Sequence, residues 1–151
     1  MQEIIYDISE LKETQKLASH LALQTKPGDV FALKGDLGTG KTAFARYFIQ
    51  ACTHPSQEVP SPTFTLVQLY ETAKFPLYHF DLYRLNSSEE VFELGIEEAF
   101  FEGVSLIEWP ERLGSMRLRN CLSIEFVLNE RRYAVLRADS AWLPRFQTIE
   151  Q

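Results

Sequence analysis

The stretch Val30-Phe31-Ala32-Leu33-Lys34-Gly35-Asp36-Leu37-Gly38-Thr39-Gly40-Lys41-Thr42-Ala43-Phe44 decides the fold of this chain. Val30 to Leu33 is a short apolar run, the pattern of a strand buried on both faces. Gly35 to Thr42 fits G-x-x-x-x-G-K-[ST], and Lys41 to Cys52 reads as a helix with Phe44, Phe48 and Ala51 on one face. A strand, a glycine-rich loop and a helix in that order form a cradle for phosphates. Gly35, Gly38 and Gly40 let backbone N–H groups turn inward around phosphate oxygens, with Thr39 between them. The helix N-terminus adds the positive end of its dipole. The spacing predicts that Lys41 reaches the β- and γ-phosphates of a nucleoside triphosphate and that the Thr42 hydroxyl ligates magnesium.

Around this loop the chain is ordinary, which excludes several classes. Its 151 residues suit one domain, read as residues 1–139 with a short C-terminal tail, 140–151. The net charge of −6 argues against autonomous binding to DNA or RNA, which relies on Lys and Arg against phosphates. Arg112, Arg117 and Arg119 are the only dense cations and read as a solvated loop. No stretch approaches the roughly 20 apolar residues of a membrane span, and Met1 to His20 lacks a signal-peptide core. The expected location is therefore the cytoplasm. Cys52 and Cys121 form no CxxC, and His20, His54 and His79 show no ligand spacing, so the histidines read as structural.

Working outward, Ile4, Tyr6 and Ile8 alternate as a short first strand, and Ser9 is placed to cap a helix carrying Leu11, Thr14, Leu17, Ala18 and Leu21. Three prolines make His54 to Pro62 a loop. Thr65 to Glu71 and Pro76 to Tyr83 read as an antiparallel hairpin turning near Thr72 to Lys74. Ser87 to Glu90 has capping-box spacing for a helix weakened at Gly95. Val104 to Glu108 is another buried-strand run, stopped by Pro110. Leu122, Ile124, Phe126 and Leu128 alternate, and Tyr133 to Arg137 returns as a second hairpin. The pattern predicts an α/β fold of P-loop NTPase-like type: a mixed, mostly parallel central sheet flanked by helices, with antiparallel hairpins.

A P-loop enzyme needs a carboxylate at a neighbouring strand end to hold magnesium or its waters. Asp81 and Glu108 both qualify, and Glu108, closing an apolar run, fits the strand-end position better. Thr63, in Ser61-Pro62-Thr63-Phe64, sits where related enzymes carry a threonine ordered by the γ-phosphate, and equally where a turn residue would cap the next strand. Trp109, directly after Glu108, suits either a role beside the site or the core. Arg84 and Arg112 are the candidate arginine fingers, neither obvious, so slow intrinsic turnover is expected.

Four segments together resemble a known family. The P-loop, Ser61-Pro62-Thr63-Phe64-Thr65-Leu66-Val67, His79-Phe80-Asp81-Leu82-Tyr83-Arg84-Leu85 and Ile107-Glu108-Trp109-Pro110-Glu111 occur in the order and spacing of the bacterial TsaE (YjeE) ATPases. The resemblance implies an ATPase using ATP and Mg2+ in making threonylcarbamoyladenosine at position 37 of tRNAs that read codons beginning with A. It implies TsaD and TsaB as partners, with tRNA met indirectly through that complex. It carries roles onto Lys41 and Thr42, onto Thr63, onto Asp81, Glu108 and Trp109, and it places Leu11 beside the adenine. Thr39 stands where the family often has Ala or Ser.

Two other classes compete. A small-molecule P-loop kinase would need a lid, and only Glu111 to Asn120 is available for one. A non-catalytic nucleotide-dependent binding module would produce no ADP. A GTPase is disfavoured because no Asn-Lys-x-Asp motif is present.

Overall fold

The computed structural model describes residues 2–145. Residues 146–151, half of the expected tail, lie outside the described residues. In chain order the elements are β1 (Gln2–Asp7), α1 (Leu11–Gln24), β2 (Val30–Lys34), α2 (Lys41–Cys52), β3 (Val67–Glu71) and β4 (Pro76–Asp81). A 3-10 helix (Ser88–Leu94), α3 (Ile96–Glu102), β5 (Val104–Glu108), a second 3-10 helix (Pro110–Leu113), β6 (Cys121–Asn129) and β7 (Arg131–Ala138) follow.

The strands form one sheet in the order β1-β7-β6-β2-β5-β4-β3. The middle four, β6, β2, β5 and β4, run parallel. The edges are antiparallel: β1 and β7 on one side, β3 on the other. The expected mixed sheet with two hairpins is thus observed. Central β2 and β5 are covered on both faces, which is why their sequences are continuous apolar runs rather than alternating ones. Phe31 and Leu33 face a core with Leu17 and Leu21 of α1 and Phe44 and Phe48 of α2. Val30 faces a second core with Ile96 of α3, Phe80 and Leu113. Period-two alternation in β2 therefore splits its side chains between two helical layers. Among the described residues no helix is long and apolar enough to cross a membrane.

Several local expectations meet tertiary competition. Ser9 does not cap α1; the N-cap is Glu10, without a side-chain bond, and the Ser9 hydroxyl accepts from the Arg132 N–H at 3.1 Å. β3 begins at Val67 rather than Thr65, because Leu66 sits at φ 69° and breaks the extended backbone. β4 stops at Asp81, where the Tyr83 N–H turns back to the Asp81 carboxylate at 3.1 Å. The Ser87/Glu90 capping box forms, but it starts a 3-10 helix, and Gly95 at φ 80° divides that helix from α3.

Within residues 140–145, Trp142 and Arg145 pack back onto the domain. Trp142 is fully buried, its ring 5.3 Å from that of Phe31 and its indole N–H donating to the Asn120 carbonyl at 3.1 Å. Arg145 grips buried Asp29 with two bonds of 2.6 and 3.0 Å and lies 3.6 Å over the Trp142 ring.

Candidate nucleotide and metal site

The parallel register sets the site. Leu33 of β2 pairs with Glu108 of β5, and Glu108 pairs with Asp81 of β4. The C-terminal ends of three parallel strands therefore stop at one level, and the loop leaving β2 arrives beside two carboxylates. Ligands in open α/β sheets bind at this edge of the strands.

The loop geometry follows from its glycines. Gly35 and Gly40 sit at φ 139° and 119°, where L side chains are strained. A Cβ on Gly35 would also meet the Phe126 carbonyl at 2.6 Å and the Thr39 hydroxyl at 2.8 Å, so the loop folds tightly against β6. The Thr39 hydroxyl donates to the Asp36 carbonyl at 2.7 Å and braces the turn. Gly40 is the N-cap of α2 and has no side chain to cap it, leaving first-turn N–H groups for an anion.

A cavity of about 410 Å³ opens there. It brings together Gly38, Gly40, Lys41, Thr42, Thr63, Asp81, Glu108 and Trp109 from the sequence-predicted set. Gly35, Thr39 and Leu11 are not on its lining. Gly35 contributes its carbonyl to Lys41, Thr39 braces the loop, and Leu11 is the exposed first residue of α1.

Lys41, Thr63, Asp81 and Glu108 each have a partner. The Lys41 ammonium donates to the Gly35 carbonyl and lies 3.6 Å from the centroid of the Trp109 ring. Burial pushes the Lys41 pKa below its ordinary value, against the opposing pull of Glu108, Glu111, Asp81 and Asp36. Trp109 itself is at φ 60°, and Tyr83 packs on it with ring centroids 4.9 Å apart. The Thr63 hydroxyl donates to Asp81 at 3.1 Å and shares a 2.7 Å bond with Ser61. Glu108 meets the His79 imidazole at 2.6 Å, with both side chains almost wholly buried.

The candidate donors on the lining are all hard oxygen: the hydroxyls of Thr42, Ser61 and Thr63 and the carboxylates of Asp81 and Glu108. That chemistry fits magnesium. Among the described residues no cluster of three or more His, Cys, Asp or Glu could hold a metal alone. A magnesium ion here would need nucleotide phosphates and waters to complete its shell, which is how Mg2+ is ordinarily bound. Electrostatics agree, since a polyphosphate beside Asp81 and Glu108 requires a cation between them.

Three contributors escape a reading by sequence. Arg132, in β7, lines the cavity although its segment lies far from the loop in sequence. Ser61 lines it and bonds Thr63. His79 lies two residues before Asp81 on one strand, and that same-face spacing was the available signal. Of the two candidate arginine fingers, Arg84 lies 4.6 Å over the Phe64 ring and Arg112 lies 6.0 Å from that of Tyr83; neither lines the cavity.

The sheet order and the strand-loop-helix at its centre define the class: an α/β protein of the P-loop NTPase-like fold. Residues 8–134 match the family model described as Threonylcarbamoyl adenosine biosynthesis protein TsaE, and the chain belongs to the TsaE family. The tRNA threonylcarbamoyladenosine biosynthesis protein TsaE of Rickettsia felis is 51% identical over 100 residues, 66% of this chain and 58% of that protein. The protein of the same name from Bacillus subtilis is 40% identical over 124 residues, 79% of this chain and 77% of its own length. The match thus spans less than two thirds of the Rickettsia felis relative. The crystal structure of Bacillus subtilis YdiB superposes with a TM-score of 0.67 at 29% identity, covering 98% of this chain and 91% of that one.

Proposed function

We propose that this chain binds ATP with Mg2+ at the P-loop edge of its sheet and hydrolyses the β–γ bond slowly, as the ATPase of tRNA threonylcarbamoyladenosine synthesis. One observation carries the reading: Lys41, Thr42, Thr63, Asp81, Glu108 and Trp109, drawn from four separate segments, surround a single cavity. In this reading the loop amides and Lys41 bind the phosphates and stabilise charge developing on them. Thr42 and Glu108 would hold the magnesium complex, whose chemistry is to neutralise phosphate charge and fix the reacting geometry. Thr63, already bonded to Asp81, is placed to exchange that bond for one to the γ-phosphate or its metal. Arg132 adds a cation at the cavity mouth.

The reading includes TsaD and TsaB as partners. Leu37 and Phe64 border the site with 71% and 81% of their surface exposed, and apolar groups so exposed beside a polar cavity suit a protein that closes over it. tRNA would then be met through the complex, in keeping with the net charge of −6.

The test is ADP release from ATP by the purified chain, alone and with TsaD and TsaB, alongside tRNA modification in the reconstituted system. Slow turnover that rises with the partners, and loss of both activities in Lys41→Ala, are expected. Undiminished turnover in Lys41→Ala, or phosphate passing to an added metabolite rather than water, would overturn the reading.

A further inference from the structure

We infer that His79 is a positioning residue that fixes the Glu108 carboxylate for the metal–nucleotide complex. The inference rests on the ATP–magnesium reading above. His79 and Asp81 lie on the same face of β4, and Glu108 ends the adjacent parallel β5. The His79 Nε2 is 2.6 Å from Glu108 Oε2. An ionised carboxylate only accepts, so the Nε2–H donates. His79 and Glu108 are 1% and 4% exposed, so water does not substitute for this bond. One carboxylate oxygen is thereby engaged and the other is left for the cavity that Glu108 lines.

The other ring nitrogen explains why this is not ordinary packing. His79 Nδ1 is buried with no partner. A buried polar atom without a hydrogen bond is unfavourable, whereas an apolar side chain at this buried position would carry no such burden. The use of the imidazole therefore lies in its contact with Glu108. A long carboxylate at a strand end has several rotamers, and a metal site needs one of them. Imidazole supplies a donor at short range without the permanent positive charge of Lys or Arg, which would oppose a cation on the same carboxylate. Asp81 is held differently, by Thr63 and by the Tyr83 N–H.

The test measures ADP affinity by calorimetry, in EDTA and across a magnesium titration, for the full chain. The variants are His79→Ala, His79→Gln, Glu108→Gln and the double His79→Ala/Glu108→Gln. In EDTA, His79→Ala should bind ADP as the parent does, because the phosphate loop is untouched. In magnesium it should lose affinity by about tenfold, the scale set by partners that orient metal ligands. His79→Gln keeps an N–H at similar reach and should recover most of the loss. In the Glu108→Gln background, removing His79 should add almost nothing. Equal losses in EDTA and magnesium, additive effects in the double variant, or a glutamine no better than alanine would each overturn the proposal. Should alanine fail to fold, His79→Leu fills the volume and carries the same comparison. If Glu108→Gln by itself leaves the magnesium dependence unchanged, the placement of Glu108 in the metal site fails, and the His79 inference falls with it. That result is read from a different variant, so the two failures are distinguishable.

Discussion

Replacing Lys41 with methionine should move the free protein and the nucleotide complex in opposite directions. In the free state Lys41 is buried, and its lowered pKa means that burial outweighs the four carboxylates pulling the other way. Its contacts with the Gly35 carbonyl and the Trp109 face only partly replace water. Methionine has a similar length and no charge to bury, so Lys41→Met should raise the stability of the free protein by about 1 kcal/mol. The nucleotide complex responds oppositely. At a hundredfold excess of ligand over Kd, binding stabilises the parent by about 2.7 kcal/mol. Losing one charge-assisted phosphate contact weakens binding by about 1.5–3 kcal/mol, roughly 10- to 150-fold. At the same ligand concentration the variant then gains only about 0.3–1.4 kcal/mol. For a domain of this size these are thermal shifts of roughly 5–11 °C in the parent against roughly 1–6 °C in the variant.

The assay is unfolding by heat and by urea, with and without ADP and magnesium, followed across pH. The pH sign is fixed by the direction of the shift. The folded-state pKa of Lys41 lies below 10.5, so the unfolded chain holds the proton where the folded one has released it. Stability of the free parent relative to Lys41→Met should therefore rise as pH climbs from the folded value toward 10.5. Nucleotide affinity should fall in the same window, as the cation is lost. A variant less stable than the parent without nucleotide, or one with an undiminished nucleotide shift, would refute this account of Lys41.

Three further outcomes follow from the geometry. Arg145→Met leaves buried Asp29 without its cation and should cost about 3 kcal/mol in urea unfolding, with partial recovery in the double variant carrying Asp29→Asn; a loss under about 1 kcal/mol would show that the C-terminal clamp contributes little. Gly38→Ala meets no atom within 4 Å and should lose only the roughly 1–2 kcal/mol of a left-handed backbone, while Gly35→Ala collides with the Phe126 carbonyl and should lose more, as paired thermal melts would read. Arg132→Ala should weaken ATP affinity several-fold at unchanged free-state stability, because its backbone bonds to Ile8 and Ser9 survive the truncation; unchanged affinity by calorimetry would remove Arg132 from the site.

The parts of this fold that could be read in the sequence are those decided locally or by burial on both faces. Val30 to Leu33, the glycine loop and the Phe44/Phe48 face of α2 specify one another at short range. The alternation of Leu122, Ile124 and Phe126 reports a strand with one deeply covered face. Ser9 shows the opposite case: its hydroxyl is equally suited to a helix cap and to the β7 backbone, and sheet pairing gives it to Arg132. Leu66 is apolar and flanked by strand formers, yet its left-handed backbone is set by a 2.6 Å bond from its N–H to the Pro62 carbonyl and by the Asp81 N–H on its own carbonyl. Arg132 reaches the cavity only because β6 lies beside β2 and carries the β7 hairpin with it, an order that no local pattern encodes.

That distinction between local and long-range information also separates Asp81 from Glu108, which residue chemistry leaves as competitors. Both end parallel strands at the same level. Their partners differ in kind. Glu108 is bonded to a buried histidine on the neighbouring strand, so its position is fixed by the core of the sheet. Asp81 is bonded to Thr63, which belongs to the connection between α2 and β3 and stands beside exposed Ser61 and Phe64. One carboxylate is thus tied to the rigid scaffold, and the other to the surface segment that would feel a γ-phosphate or a docking protein. Under the proposed function the two are not alternatives for one task. Glu108 suits a ligand position that stays constant through a cycle, and Asp81 suits the group whose bonding changes when Thr63 turns to the nucleotide.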